Sequence, residues 1–226
     1  MNILIIYTHP NHESLNYAFL EHTLKGISEN KNIHNVKAVD LYKENFNPAL
    51  YFDENQRRRD MHTDPQFARY REQIQWANTI VFIYPIWWGR PPAMLLGYID
   101  QLFSSEFAYR DKGRYGHEGL LKGKSVICIS TMKGPKHYPL FFLNNAPKAV
   151  MKKAVFDFVG MEKVKFFEFG SVELSRQKQK PKLDKIYRYL KLFGGNPLVA
   201  AWLCRNTLLG RITGLQRHWF GRENWN

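Results

Sequence analysis

Three short runs hold the residues best suited to chemistry. The first, Thr8-His9-Pro10-Asn11-His12-Glu13-Ser14-Leu15-Asn16, leads from a β-branched stretch into a helical pattern. A helix N-terminus offers free backbone N–H groups and the positive end of the helix dipole, a ready anion site. His9, Ser14 and Asn16 add side-chain donors, and Ser14 also suits a plain N-cap, a role that does not exclude phosphate. His9, His12 and Glu13 fit no zinc-ligand spacing on a helix and lack a third ligand, so no metal is expected. Neither GxGxxG nor GxxxxGK[ST] occurs, which counts against dinucleotide Rossmann and P-loop chemistry. A GxSxG elbow is absent too, which counts against hydrolysis.

The second run is Tyr84-Pro85-Ile86-Trp87-Trp88-Gly89-Arg90, followed by Pro91 and Pro92. A tryptophan pair in an ordinary surface loop would give up burial for nothing. Two uses remain open: one wall of a pocket for a flat aromatic ligand at a strand's carboxyl end, or a cap on the core. The third run, Thr131-Met132-Lys133-Gly134-Pro135-Lys136-His137-Tyr138, follows another strand-like stretch.

The elements that must position these runs alternate. Strands are expected at Asn2–Thr8, Asn35–Asp40, Asn78–Tyr84, Lys124–Thr131 and Lys163–Glu168, the first being continuous enough for burial on both faces. Helices are expected from Ser14 to about Glu29, from Pro65 to Trp76, from Pro92 to Phe103 and from Leu140 to Val159. A basic helix is expected from about Leu174 to Phe193. Strands separated by helices imply a parallel sheet covered on both faces, with right-handed crossovers. In such sheets ligands bind outside the carboxyl ends of the strands, where the winding switches direction. Leu41–Asp64 and Ser104–Gly123 read as long loops, a class that is usually functional.

Composition narrows the function classes. With 226 residues, the chain fits one large domain or one domain with an extension. No signal peptide or membrane span is evident, and two cysteines, Cys128 and Cys204, point to a reduced, cytoplasmic compartment. The net charge is +13, but from Arg176 onward there are 11 Lys+Arg and 2 Asp+Glu, so the body is nearly balanced. That distribution argues against a nucleic-acid partner. Residues 194–226 mix apolar stretches such as Leu198–Leu203 with Arg205, Arg211, Arg217 and Arg222. Such an extension can pack across a second copy or lie on an anionic membrane.

Taken together, the motifs resemble those of the flavodoxin-like NAD(P)H:quinone oxidoreductases, which include modulators of drug activity and the ancillary subunits of Kef-type potassium efflux systems. The matching residues are Tyr7-Thr8-His9-Pro10 with Ser14-Leu15-Asn16, and Asp40-Leu41-Tyr42 with Phe46-Asn47-Pro48. Pro85-Ile86-Trp87-Trp88 is matched together with Pro92-Ala93-Met94-Leu95, Gly97-Tyr98-Ile99-Asp100 and Phe107-Ala108-Tyr109. The resemblance implies an α/β, flavodoxin-like doubly wound fold, a five-stranded parallel sheet of order 2-1-3-4-5, over residues 1–193, with 194–226 as a basic helical extension. It implies non-covalent FMN or FAD, NAD(P)H as co-substrate, a quinone-like acceptor and a homodimer with its sites near the subunit interface. By position, His9, Ser14, Leu15 and Asn16 would hold the flavin phosphate, and Pro85, Ile86, Trp87 and Trp88 would lie along the ring. In the third loop the family has Thr-Thr-Gly-Gly; this chain has Thr131-Met132-Lys133-Gly134, so Lys133 replaces the first glycine. Lys133 can stabilise negative charge on a reduced ring, point to solvent or weaken flavin binding. Tyr138 is the polar group expected near the acceptor, with a core tyrosine as its alternative. Asn144 stands where some members carry a proton-relaying His. The alternative function is a flavin-binding regulatory subunit docked on a membrane transporter, with peripheral membrane contact through the basic tail.

Overall fold

Alternating residues along three central strands divide the apolar side chains between two cores. A computed structural model describes residues 1–54, 57–114, 116–172 and 176–195. Strands β1 (Asn2–Tyr7), β2 (Asn35–Asp40), β3 (Thr79–Pro85), β6 (Ser125–Thr131) and β7 (Glu162–Phe169) form one parallel sheet in the order β2-β1-β3-β6-β7. This is the expected flavodoxin-like winding. The short strands β4 (Tyr109–Asp111) and β5 (His117–Gly119) pair antiparallel outside it. Leu4, Ile6, Phe82 and Cys128 face α2 (Ala68–Trp76), α3 (Ala93–Leu102) and Phe156 on one side. On the other side Ile3, Ile5, Val81 and Ile129 face α1 (Leu15–Ser28) and α6 (Arg176–Leu192). Side chains alternate across a strand, so a continuous apolar run buries both faces.

Close approach fixes the outer helices. A Cβ on Gly26 of α1 would lie 2.6 Å from the Tyr187 carbonyl oxygen, so α6 packs directly on glycine backbone. Asn30 Nδ2 donates to the Leu190 and Phe193 carbonyls at 2.6 and 2.9 Å, closing the end of α6. Next to this closure, the Met1 amino group donates to Asn32 O at 3.3 Å, and a Cβ on Gly194 would lie 3.0 Å from Met1 Cε. Both ends of the described body therefore meet at the amino ends of the strands.

Two expectations need correction. The long helix from Leu140 to Val159 is broken into α4 (Tyr138–Phe142) and α5 (Ala146–Ala149), which runs on as a π-helical stretch, Val150–Asp157. Asn144 and Asn145 between them adopt left-handed φ of 47° and 57°, which Asn tolerates and a continuous helix does not. The Ser104–Gly123 segment is also not irregular throughout, since it contains the β4–β5 hairpin. Leu41–Asp64 holds a 3-10 turn, Arg58–His62, and part of it packs tightly. Gln101 Nε2 donates to Asn47 O at 2.8 Å, and a Cβ on Gly97 would lie 2.2 Å from Pro48 O. The Phe46-Asn47-Pro48 and Gly97–Asp100 motifs are thus two sides of one contact. Beyond Gly195 the expected extension, with Cys204, lies outside the described residues.

Candidate functional site

The three sequence runs converge at the carboxyl ends of β1, β3 and β6. Thr8 N donates to Ile83 O at 2.9 Å, Ile86 N to Thr131 O at 2.7 Å, and Met132 N to Phe169 O at 2.9 Å. Each strand's exit is thereby held by its neighbour. The decisive side-chain tie is Asn16 Nδ2 donating to Thr131 Oγ1 at 2.9 Å, buried, which joins the first loop to the third. Thr131 is therefore a pin between loops.

At the first loop Ser14 caps α1, its Oγ accepting from Tyr17 N at 3.3 Å. Leu15 and Asn16, the first residues of the helix, have no intrahelical acceptor for their N–H groups by helix geometry, which leaves these donors for a ligand. Tyr7 backs the cap: its hydroxyl lies 3.5 Å from Ser14 Oγ and donates to Asn11 O at 3.4 Å, and burial pushes its pKa up to about 12. His9 Nδ1 lies 3.0 Å from both the N and the O of Asn11, so either tautomer holds the ring in place. Burial lowers the His9 pKa, with repulsion from His12 adding to the effect. Its ring lies 6.0 Å from that of Trp87, centroid to centroid, which brings the first and second loops together.

The second loop is a tight hairpin. Trp87 N donates to Arg90 O at 2.9 Å and Arg90 N returns a bond to Trp87 O at 3.1 Å, while Trp88 and Gly89 have φ of 52° and 70°. Two consecutive positive φ values define a type I′ turn, which favours Asn or Gly at both places. A tryptophan there is strained. Trp88 is 97% exposed and Trp87 41%, so neither caps the core, and Trp88 stands at the tip of the turn. Pro85 is buried and Ile86 half-buried beneath them.

The third loop is pinned to the end of β7. Ser171 N donates to Gly134 O at 2.9 Å, and a Cβ on Gly170 would lie 2.2 Å from Lys136 N. Beside Gly134 a Cβ would meet nothing within 4 Å, so the space at that glycine is open. Lys133 is exposed and Met132 buried, which removes Met132 from any surface contact. Tyr138 opens α4, half-exposed, its ring stacked on Phe142 at 5.0 Å. It is not a core tyrosine.

One part of the site escaped sequence reasoning. His12 Nε2 lies 2.7 Å from Asp40 Oδ2, and the His12 ring leans on Tyr17 at 4.9 Å. Asp40 Oδ1 accepts from Tyr42 N and Lys43 N, each at 3.1 Å. This pair ties the first loop to the end of β2. His12 and Asp40 lie far apart in sequence, so spacing carried no signal.

The donor set fits a phosphate-bearing aromatic cofactor. An anion-ready helix start lies beside an open glycine and a tryptophan. Thr8 Oγ1 and Asn16 Oδ1, both buried at this edge, have no partner. Buried polar atoms are ordinarily satisfied, so orphans at a ligand edge call for a bound group.

A doubly wound parallel sheet of order β2-β1-β3-β6-β7, with the three loops gathered at its switch point, defines a flavodoxin-like fold. The chain belongs to the flavodoxin-like fold family, whose sequence model matches residues 1–192. It is 31% identical to a protein of Haemophilus influenzae named an uncharacterized NAD(P)H oxidoreductase, over 77% of this chain and 86% of that protein. Among solved structures it is similar to Smu.1420 of Streptococcus mutans, with TM-score 0.78 and 35% identity over 84% of this chain and 99% of that one. The FMN-dependent NADH-azoreductase of Bacillus anthracis, solved with FMN, shares the fold, with TM-score 0.66 and 20% identity over 90% and 99% of the two chains. The chain spans 60% to 65% of three other curated relatives. Family and named relatives together put it among the oxidoreductases.

Proposed function

We propose that the chain is a flavin-dependent NAD(P)H:quinone oxidoreductase, passing two electrons to a quinone or similar flat acceptor. One observation carries the reading: the Asn16–Thr131 bond locks the anion-ready start of α1 against the β6 loop, beside Trp87. Bound flavin would supply the two-electron carrier, accepting hydride from NAD(P)H and returning it to the acceptor. Ser14, Leu15 and Asn16 would hold its phosphate, with His9 orienting the loop. Pro85, Ile86 and Trp87 would line the ring, and Gly134 would let backbone approach it. Lys133 would offset negative charge at the ring, Trp88 would cover the entering acceptor, and Tyr138 would donate a proton or hydrogen bond to it. FMN is favoured over FAD because the fold neighbour from Bacillus anthracis was solved with it.

The regulatory-subunit alternative drew on the altered third loop and the basic tail. The loop is firmly pinned despite Lys133, and the tail lies outside the described residues, so the enzyme reading stands ahead. The catalytic unit would lie within residues 1–193 and work as a homodimer in the cytoplasm. No described helix is long and apolar enough to cross a membrane. The test is anaerobic mixing of flavin-loaded protein with NADH or NADPH, followed by a quinone. Bleaching and recovery of the flavin absorbance are expected; no bleaching with either nucleotide rules the function out.

A further inference from the structure

The turn from β1 into α1 is bonded mostly to itself. Asn11 O accepts from Ser14 N at 3.3 Å and from the Tyr7 hydroxyl at 3.4 Å, and Asn11 Oδ1 accepts from Glu13 N at 2.7 Å. These partners all lie between Tyr7 and Ser14, so they shape the turn without placing it on the molecule. Among the described residues, a single hydrogen bond ties residues 9–15 to anything beyond β1 and α1. It is the 2.7 Å bond between His12 Nε2 and Asp40 Oδ2.

Asp40 is a firm anchor for that bond. It ends β2 in register with Tyr7 of β1, and the N–H groups of Tyr42 and Lys43 already fix its Oδ1. Its side chain is 16% exposed, against 47% for His12. A carboxylate only accepts, so His12 Nε2 carries the shared proton. The His12 ring also leans on Tyr17 at 4.9 Å and Tyr7 at 6.0 Å, centroid to centroid. Charge matters here as much as position. Burial pushes the Tyr7 pKa up to about 12, and the Asp40 charge adds to the rise, so that charge is felt at the hydroxyl backing the Ser14 cap. A carboxylate felt at this place opposes any anion held at the start of α1 unless donors cover it.

We propose that His12 is a positioning residue for the phosphate end of the cofactor. Held by Asp40, it fixes the turn so that the N–H groups of Leu15 and Asn16 stay presented as one donor set. It also covers the carboxylate oxygen that would repel the phosphate. This role rests on the flavin reading above and gives His12 no contact with the ring. Phosphate and ring are thereby served by different parts of the site.

That division can be measured on full-length, flavin-free protein, titrated with FMN and with riboflavin, which lacks the phosphate, by flavin fluorescence. His12 is half-exposed, so replacing it leaves both cores untouched. His12→Leu should lower FMN affinity by about tenfold, the worth of one hydrogen bond to a charged group. Riboflavin affinity should stay within about twofold of the parent's. His12→Gln keeps a side-chain donor and should recover part of the loss. The double variant His12→Leu/Asp40→Asn should bind FMN no more weakly than His12→Leu, since the two residues act as a unit. Unchanged FMN affinity in His12→Leu would overturn the proposal. Equal losses for FMN and riboflavin would also overturn it, because they report general damage to the site. FMN binding by the parent without bleaching by NAD(P)H would refute the oxidoreductase function and leave the role of His12 standing. No FMN binding by the parent would overturn both.

Discussion

Trp88 is held at a backbone position that suits Asn or Gly and buries almost none of its ring, so local stability does not explain it. Trp88→Asn should raise stability by about 1 kcal/mol in thermal unfolding, by relieving the positive φ. The same variant should use a quinone acceptor less efficiently; unchanged efficiency would remove Trp88 from the acceptor site. Asn16→Leu should cost about 1–3 kcal/mol, because the buried Thr131 hydroxyl loses its donor. It should also weaken flavin retention, measured as cofactor released on dilution. His9 offers a pH signature. Its folded pKa is lowered below the ordinary value of 6.5, so the unfolded chain takes up the proton more readily. Stability of cofactor-free protein should fall as pH drops through about 6.5 toward that lower value, and His9→Gln should flatten this slope in melts between pH 7.5 and 5.5.

Among the elements, the centre of the sheet was legible because β1, β3 and β6 are nearly continuous apolar runs rich in Val and Ile, whereas β2 and β7 mix apolar with charged residues. Ser14 was legible as a cap because cap chemistry is local. The break after Phe142 was not, since Leu140–Val159 keeps helical composition and only the left-handed Asn pair interrupts it. The type I′ turn was also hidden, because Trp-Gly is not a sequence that calls for it. Neither the His12–Asp40 pair nor the Asn16–Thr131 bond could be read, as both depend on strands brought together by the fold. The Gly97–Pro48 contact supplies a physical reason for two distant motifs. Gly97→Ala would drive a Cβ to 2.2 Å from Pro48 O, on backbone that cannot yield cheaply. A loss of about 1–3 kcal/mol in denaturant unfolding is expected.

In the whole molecule, two cores lie among the described residues, and α6 closes on Asn30 through the carbonyls of Leu190 and Phe193. Protein ending at Gly195 should therefore melt within a few degrees of the full chain and bind flavin equally well. A large fall in melting temperature would mean that residues beyond Gly195 carry part of the fold. The basic excess after Arg176 was plain from composition, but the exposed rings of α4 were not, because Tyr138–Phe142 reads as an ordinary apolar helix start.

The meeting of Met1 with Gly194 has a practical side. Both ends of the described body lie at the pole opposite the ligand loops, so an anchor at Met1 would present the site outward. Immobilised on an electrode by such an anchor, the protein would expose its acceptor entrance to solution while the support met only the amino ends of the strands. Joining Met1 to Gly194 by a short linker and reopening the chain in a surface loop is a permutation that this geometry also permits.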